Sequence, residues 1–365
     1  MGKVACINPK TNIPDNFKYV DLESVVGTSL IKAKLTTKQL APSRAQRVAK
    51  KGDIFYQTVR PYQKNNFLFD INNYDFQYVF STGYAQLRSE INNYFLFSYL
   101  QRQRFVNLIL RRSTGTSYPA ISSKDLSEIK IIFPRNSKEQ ENIGKIINLI
   151  DALITLQQRK MEQLKQLKKA MLQQLFVNKN NKQPILKFKN FRNNWREYKL
   201  SEIVNLEDNK RKPVKATERI RGKIPYYGAN GIQDYVKGYT HIGKHVLIAE
   251  DGANSVDDYP IYFIYSPSWI NNHTHVLTAK EEILSSEFLA YALKKINYAK
   301  YLVGSGRYKL NAEILKLIPL KIPTMNEQKY IESNLSKIDK LIALQQNKLT
   351  QLTALKKYLL QKLFI

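Results

Sequence analysis

Two stretches of this chain set Arg and Lys among Asn, Tyr and small hydroxyl residues, the mixture that nucleic-acid surfaces use. The first contains Arg44, Arg47 and Lys50, then Arg60, Tyr62 and Lys64, then Arg111 and Arg112 leading into a Gly loop with Thr114, Thr116 and Ser117. The second contains Arg211, Lys212, Arg221, Tyr227 and Asn230, then Asn254 and His273, then Arg307, Tyr308 and Lys309 beside another Gly loop. Guanidinium and amide groups pair with base edges, whereas ammonium groups, hydroxyls and backbone N–H groups suit phosphates. Each such side chain is also what a solvated surface carries, and Arg111 and Arg112 equally suit a helix C-terminus.

Other chemistries have weaker claims. A cofactor loop with an Asn/Asp-Pro-Pro-aromatic motif would mark an adenine methyltransferase, and Ile224-Pro225-Tyr226-Tyr227 does not replace it; a P-loop is also missing. Asp125 with Glu128-Ile129-Lys130 imitates the acidic motif of a metal-dependent nuclease, but the matching later copy reads Leu317-Ile318-Pro319. His241, His245, His273 and His275 could hold zinc, although four single polar or base-contacting histidines fit as well. No catalytic residue, metal or cofactor is expected. Cys6, the one cysteine, leaves no intrachain disulfide or Cys-rich zinc site.

The elements that must position these residues are written twice. Glu139 to Phe176 matches Glu327 to Phe364 at an offset of 188, with 20 of 38 positions identical, so the chain is an internal duplication. Both tails keep apolar residues at steps of 3, 4 and 7, from Ile143 to Leu175 and from Ile331 to Leu363, which predicts two long helices with a coiled-coil stripe. Gln157 and Gln345 interrupt that stripe at matching positions, as register setters or as tolerated polar residues. Two copies separated by a whole domain pair more simply with each other, antiparallel, than with a second chain.

Upstream of each tail the halves diverge into domains of mixed α and β. Short strands are predicted at 129–133, 245–248, 261–265 and 318–322, and helices at 94–110 and 287–302. The expected fold is therefore α+β: two mixed recognition domains, 1–136 and 179–323, and two helices, 137–178 and 324–365, forming an antiparallel coiled coil. Of the formal charge of +28, the first domain carries +11 and the second +10. The excess thus sits where the candidate contact residues lie, and it favours a polyanion. The tails have Gln-rich, modestly basic polar faces unlike a lipid-binding helix, and no apolar run approaches the roughly 20 residues that span a bilayer. No membrane partner and a cytoplasmic location are expected; an autonomous nuclease and a structural coiled-coil protein are the rival classes.

With these residues in view, the chain resembles the DNA-specificity subunit of type I restriction-modification systems over almost its whole length. The most specific marks are the tandem architecture and the repeated cassette of Gly loop, strand, Pro, Glu-Gln and long helix, at Thr114-Gly115-Thr116 through Phe176 and at Gly304-Ser305-Gly306 through Phe364. Arg60-Pro61-Tyr62, Tyr227-Gly228-Ala229-Asn230-Gly231 and Glu250-Asp251-Gly252-Ala253-Asn254 are also similar to the family. The resemblance implies that each domain reads one half of a split, asymmetric site in double-stranded DNA. It also implies that the paired helices set the spacer and dock two methyltransferase subunits, to which restriction and translocase subunits add. The family usually places a lead such as Phe188 to Leu200 before both domains; Met1 aligns with Leu200, so that lead is absent before the first domain, and either the start codon is misplaced or this is a shortened or recombined form whose first domain is less firmly docked.

Overall fold

The computed structural model describes residues 1–177, 181–191, 193–304 and 308–364. The chain packs as two units, one of Met1–Arg159 with Gln346–Ile365 and the other of Lys160–Gln345. The long helices, Ser137–Leu175 and Met325–Lys362, each begin in one unit and end in the other.

Unit 1 is built on two four-stranded sheets. Ala5–Ile7, Tyr84–Ser89, Ile54–Gln57 and Phe67–Leu68 form an antiparallel sheet in that order. Lys34–Thr37, Asn16–Val20, Tyr78–Ser81 and Ala45–Val48 form the second, in which Asn16–Val20 runs parallel to Tyr78–Ser81. Alternating aromatic residues fill one core: Phe55 stacks on Phe80 at 3.6 Å between ring centroids, with Tyr84 edge-on to both. The helix expected over 94–110 is two, Asn93–Leu100 and Gln103–Arg112. Arg102 lies extended between them (φ −66°, ψ 138°), and this break turns its guanidinium inward over the Tyr99 ring at 3.7 Å.

Unit 2 repeats the plan. Val204–Leu206, Thr274–Ala279, His245–Ala249 and Ile261–Ile264 make the antiparallel sheet, and Gly231–Val236, Arg221–Gly228 and Trp269–Ile270 make the sheet with one parallel pair. The strands expected at 245–248 and 261–265 form to within one residue. The helix expected over 287–302 stops early, as Ser286–Leu293, and a short 3-10 turn follows at Tyr298–Lys300. Asn297 caps that turn, accepting from Ala299 N at 3.0 Å, and the buried Tyr298 ring stacks on Tyr259.

The expected strand pair separates the two copies. Pro319–Ile322 pairs antiparallel with Arg196–Lys199, but residues 129–133 are not a strand. A strand needs a ladder partner, and none faces them among the described residues. The alignment of Met1 with Leu200 is nonetheless geometric: the Met1 ammonium donates to Ile129 O, as Leu200 N donates to Ile318 O at 3.0 Å.

The repeated Glu-Gln cassette has a physical reason. Gln140 Nε2 donates to Pro134 O at 2.8 Å while its Oε1 accepts from Asn92 N at 3.2 Å. Gln328 repeats this, donating to Pro323 O at 3.0 Å and accepting from Ser285 N at 2.9 Å. One buried amide thus ties each helix start to its own domain. The repeated Leu-Phe cassette ties the other end. Phe364 packs against Phe95 and Tyr99 in unit 1, and Phe176 against Phe288 and Trp195 in unit 2. Between these anchors the duplication recurs as ion pairs, Asp151–Lys356 in unit 1 and Asp339–Lys168 in unit 2, each at 2.5 Å.

Two expectations follow. Phe364→Ala removes a nearly buried ring and should cost unit 1 about 3 kcal/mol; hydrogen exchange should speed up at Asn93–Leu100 while unit 2 amides keep their protection. Burial holds the Glu327 carboxyl above its ordinary value of 4.5, and the Trp195 indole and Lys187 pull it back only in part. A raised carboxyl favours folding fully below that ordinary value, and the contribution is lost as pH rises through the folded value. Glu327→Gln keeps an acceptor for Trp195, so it should raise the Tm of unit 2 at pH 7, an advantage that disappears near pH 4. Equal losses at both pH values would contradict this.

Candidate nucleic-acid interface

In unit 1 the structure brings most of the candidates together. Arg60, Pro61–Gln63 and Lys64 make a tight turn in which Arg60 (φ 55°) and Lys64 (φ 57°) both sit in the left-handed region. Such a conformation is costly for residues other than Gly and persists where the surroundings impose it. Here Asn66 Oδ1 accepts from Gln57 N at 2.8 Å, and the Gln57 side chain bonds Gln63 and Asn65 N. The turn packs against Gln103–Arg112, the helix that ends in Arg111 and Arg112. The Gly loop folds back through a bridge between Thr114 and Ala120, and Ala120 bridges Val59, which places the Arg60 guanidinium 4.3 Å over the Tyr118 ring. Tyr62, Arg111, Arg112, Thr114, Thr116 and Ser117 are exposed, and burial lowers the Lys64 ammonium below its ordinary value, helped by Lys356 and Lys357.

Arg44, Arg47 and Lys50 belong to a separate place, on and beside Ala45–Val48 in the other sheet. Arg44 and Lys50 are exposed there, while Arg47 is half-buried with no partner for its Nε.

In unit 2 several candidates are held by their own domain. Arg211 donates to Glu250 at 2.7 Å and lies 3.3 Å from Asp208, Lys309 pairs with Glu250 at 3.0 Å, and His275 bonds Asp208 at 2.5 Å. Burial works to raise the Glu250 carboxyl, and the hydrogen bonds from Arg211 and Lys309 outweigh it, leaving the group below its ordinary value. Arg211 thus spends its fork inside the protein, whereas Lys309 keeps an exposed stem. Asn230 braces two loops, donating to Gly252 O and accepting from Asn254 N, both at 2.9 Å. His273 is tied to Asp251 at 2.6 Å. Lys212, Arg221 and Tyr308 face solvent, Tyr227 is half-buried, and Arg307 lies outside the described residues.

Sequence reasoning missed the carboxylates that organise this cluster. Asp208, Glu250 and His275 bring ligand-type atoms within 4.8 Å of one another, the one such group of three among the described residues, but Arg211 and Lys309 already supply its counter-charge. The signal was present as Glu250-Asp251 beside a Gly, which alone does not say which cations it binds. The histidines are likewise engaged: His245 bonds Thr278 Oγ1 and Ile242 O, and His241 bonds Thr240 Oγ1 and Glu207 O. They serve as internal braces, with burial lowering His241 below its ordinary value.

Comparison with known proteins bears on this arrangement. The family model described as the type I restriction modification DNA specificity domain matches twice, at residues 9–166 and 192–354. A putative type I restriction enzyme specificity subunit of Haemophilus influenzae is 48% identical over 129 residues, which is 35% of this chain and 33% of that protein. A type I restriction enzyme specificity subunit of Methanocaldococcus jannaschii is 24% identical over 69% of this chain and 65% of its own. The chain therefore spans about a third of the first relative and just under two thirds of the second. In fold, the crystal structure of a type I restriction-modification S subunit from M. genitalium matches with a TM-score of 0.72 at 19% identity, covering 100% of this chain and 94% of that one. With two matches that together cover most of its length, each on one of the two domains and its adjoining helix, the chain belongs to the type I restriction-modification DNA specificity family.

Proposed function

We propose that this protein is the sequence-specific DNA-binding subunit of a type I restriction-modification complex, acting in the cytoplasm, with each domain reading one half of a bipartite, asymmetric site in double-stranded DNA. The observation that carries the reading is the exchange of helix ends. Each domain holds the start of its own helix through Gln140 or Gln328 and the end of the other through Phe364 or Phe176. Two domains of one plan, each with a net charge of at least +10, suit two separate contacts with one duplex. In unit 1 Asp151 pairs with Lys356, while Ile143, about two turns earlier on the first long helix, shares a core with Phe364, about two turns later in the chain, which supports an antiparallel coiled coil. Its duplicated outer faces would dock two methyltransferase subunits, with restriction and translocase subunits added to these, and the chemistry belongs to those partners. Among the described residues no helix is long and apolar enough to cross a membrane.

Methylome sequencing of a host that expresses the chain with a partner methyltransferase should reveal one split methylated sequence. Exchanging residues 1–136 for another member's domain should change one half of it and leave the other; methylation without a bipartite site would refute the reading.

The coil should also act as a ruler. Four residues inserted after Gln157 and again after Gln345 add about one turn and about 6 Å. With a DNA rise near 3.4 Å per base pair, the unspecified spacer should lengthen by one or two base pairs while both half-sites stay the same. Full activity with an unchanged spacer would show that the helices do not measure DNA.

A further inference from the structure

A groove of about 1270 Å³ lies in unit 1 between the helix Gln103–Arg112 and the last turns of the second long helix. Seven Arg and Lys side chains line it, and no Asp or Glu. Among the described residues Lys356 alone of the seven has an ion pair, with Asp151. Two features of its floor call for an acceptor from outside. Arg102 is 6% exposed, and its guanidinium makes only two long bonds, to Tyr99 O and Phe364 O at 3.4 Å each, leaving most of its five donors unused. Gln101 is 5% exposed, and its Nε2 has no hydrogen-bond partner. A buried cation without a counter-ion is costly, and an anion in the groove would relieve it. The crowding of Lys64 by Lys356 and Lys357 acts in the same sense.

We propose that this groove holds consecutive phosphates of duplex DNA lying beside the half-site that the first domain reads, with Gln101 and Arg102 as its floor and Arg104, Lys130 and Lys357 as its exposed rim. The inference rests on the recognition reading above. What favours DNA over an acidic protein segment is continuity: Lys64 and Arg111 line the groove and also belong to the turn and helix that gather the candidate contacts. The volume far exceeds one phosphate. In unit 2 the matching place is filled differently among the described residues: Lys168, the counterpart of Lys356, pairs with Asp339 and lies 5.6 Å over the Tyr291 ring, and Trp195 packs edge-on against Phe176.

The test uses the full chain, duplexes that carry its methylated sequence, and a variant with Arg104→Gln, Lys130→Gln and Lys357→Gln, three exposed residues outside the base-reading candidates. On a duplex extended past the first half-site, the slope of log affinity against log salt should become shallower by up to about 2.7 if each side chain meets one phosphate. On a duplex trimmed at that side the variant and the parent should agree, and the methylated sequence should stay the same. Sequence-specific binding with an unchanged slope on every duplex overturns the groove alone. So does an unchanged slope with loss of co-purification with the methyltransferase subunit, which would assign the groove to an acidic protein. A parent chain that discriminates no DNA sequence overturns the recognition reading and the groove with it.

Discussion

Two phenyl rings at the ends of two helices fix this molecule. Phe364 and Phe176 each finish a helix that began in the other half of the sequence, and each is received by an aromatic helix of the domain it reaches. Helices of 39 and 38 residues gain most of their stability in water from what they pack against. The rings fix their ends, because apolar area buried at a helix tip is lost if the helix slides. Gln140 and Gln328 hold the opposite ends with amides that water does not reach, so each helix is clamped where it starts and where it stops.

Charge is used in two ways. Inside unit 2, Arg211 and Lys309 neutralise Asp208 and Glu250 and tie the residues just before the helix Ala312–Leu317 to the sheet. In unit 1 the cations of Gln103–Arg112 have no such partners among the described residues and face outward. The two domains share a plan and a net charge, yet the first leaves more of its charge free for a partner.

Much of this was legible in the sequence, for definite reasons. The helices repeat at steps of 3, 4 and 7 over ten turns, and a duplicated cassette shows itself without any structure. The strands at 245–249 and 261–264 were legible because apolar runs of that length between turn residues have few other uses. What failed depended on distant partners. Residues 129–133 have the composition of a strand and lack its ladder, Arg102 breaks a helix because Tyr99 and Phe364 draw it inward, and Tyr298 ends another to stack on Tyr259. The candidate contacts were legible as a set of residue types, but their grouping was not. Nothing in the spacing of Arg44 and Arg60 says that one lies beside a strand and the other in a turn packed on a helix, or that Arg211 is committed to two carboxylates while Lys212 is exposed.

The split composition of unit 1 has a consequence for the order in which the chain is made. Unit 2 is one continuous stretch and can close without any residue beyond Gln345. Unit 1 cannot: Arg102 waits for the carbonyl of Phe364, 262 residues later, and Phe95 and Tyr99 wait for its ring. Until then the receiving face of the first domain is open to water, to chaperones and to other nascent chains. A chain cut after Gln345 would keep the whole of unit 2 and leave the first half with a sticky aromatic surface. The first domain is thus made before the second and completed after it.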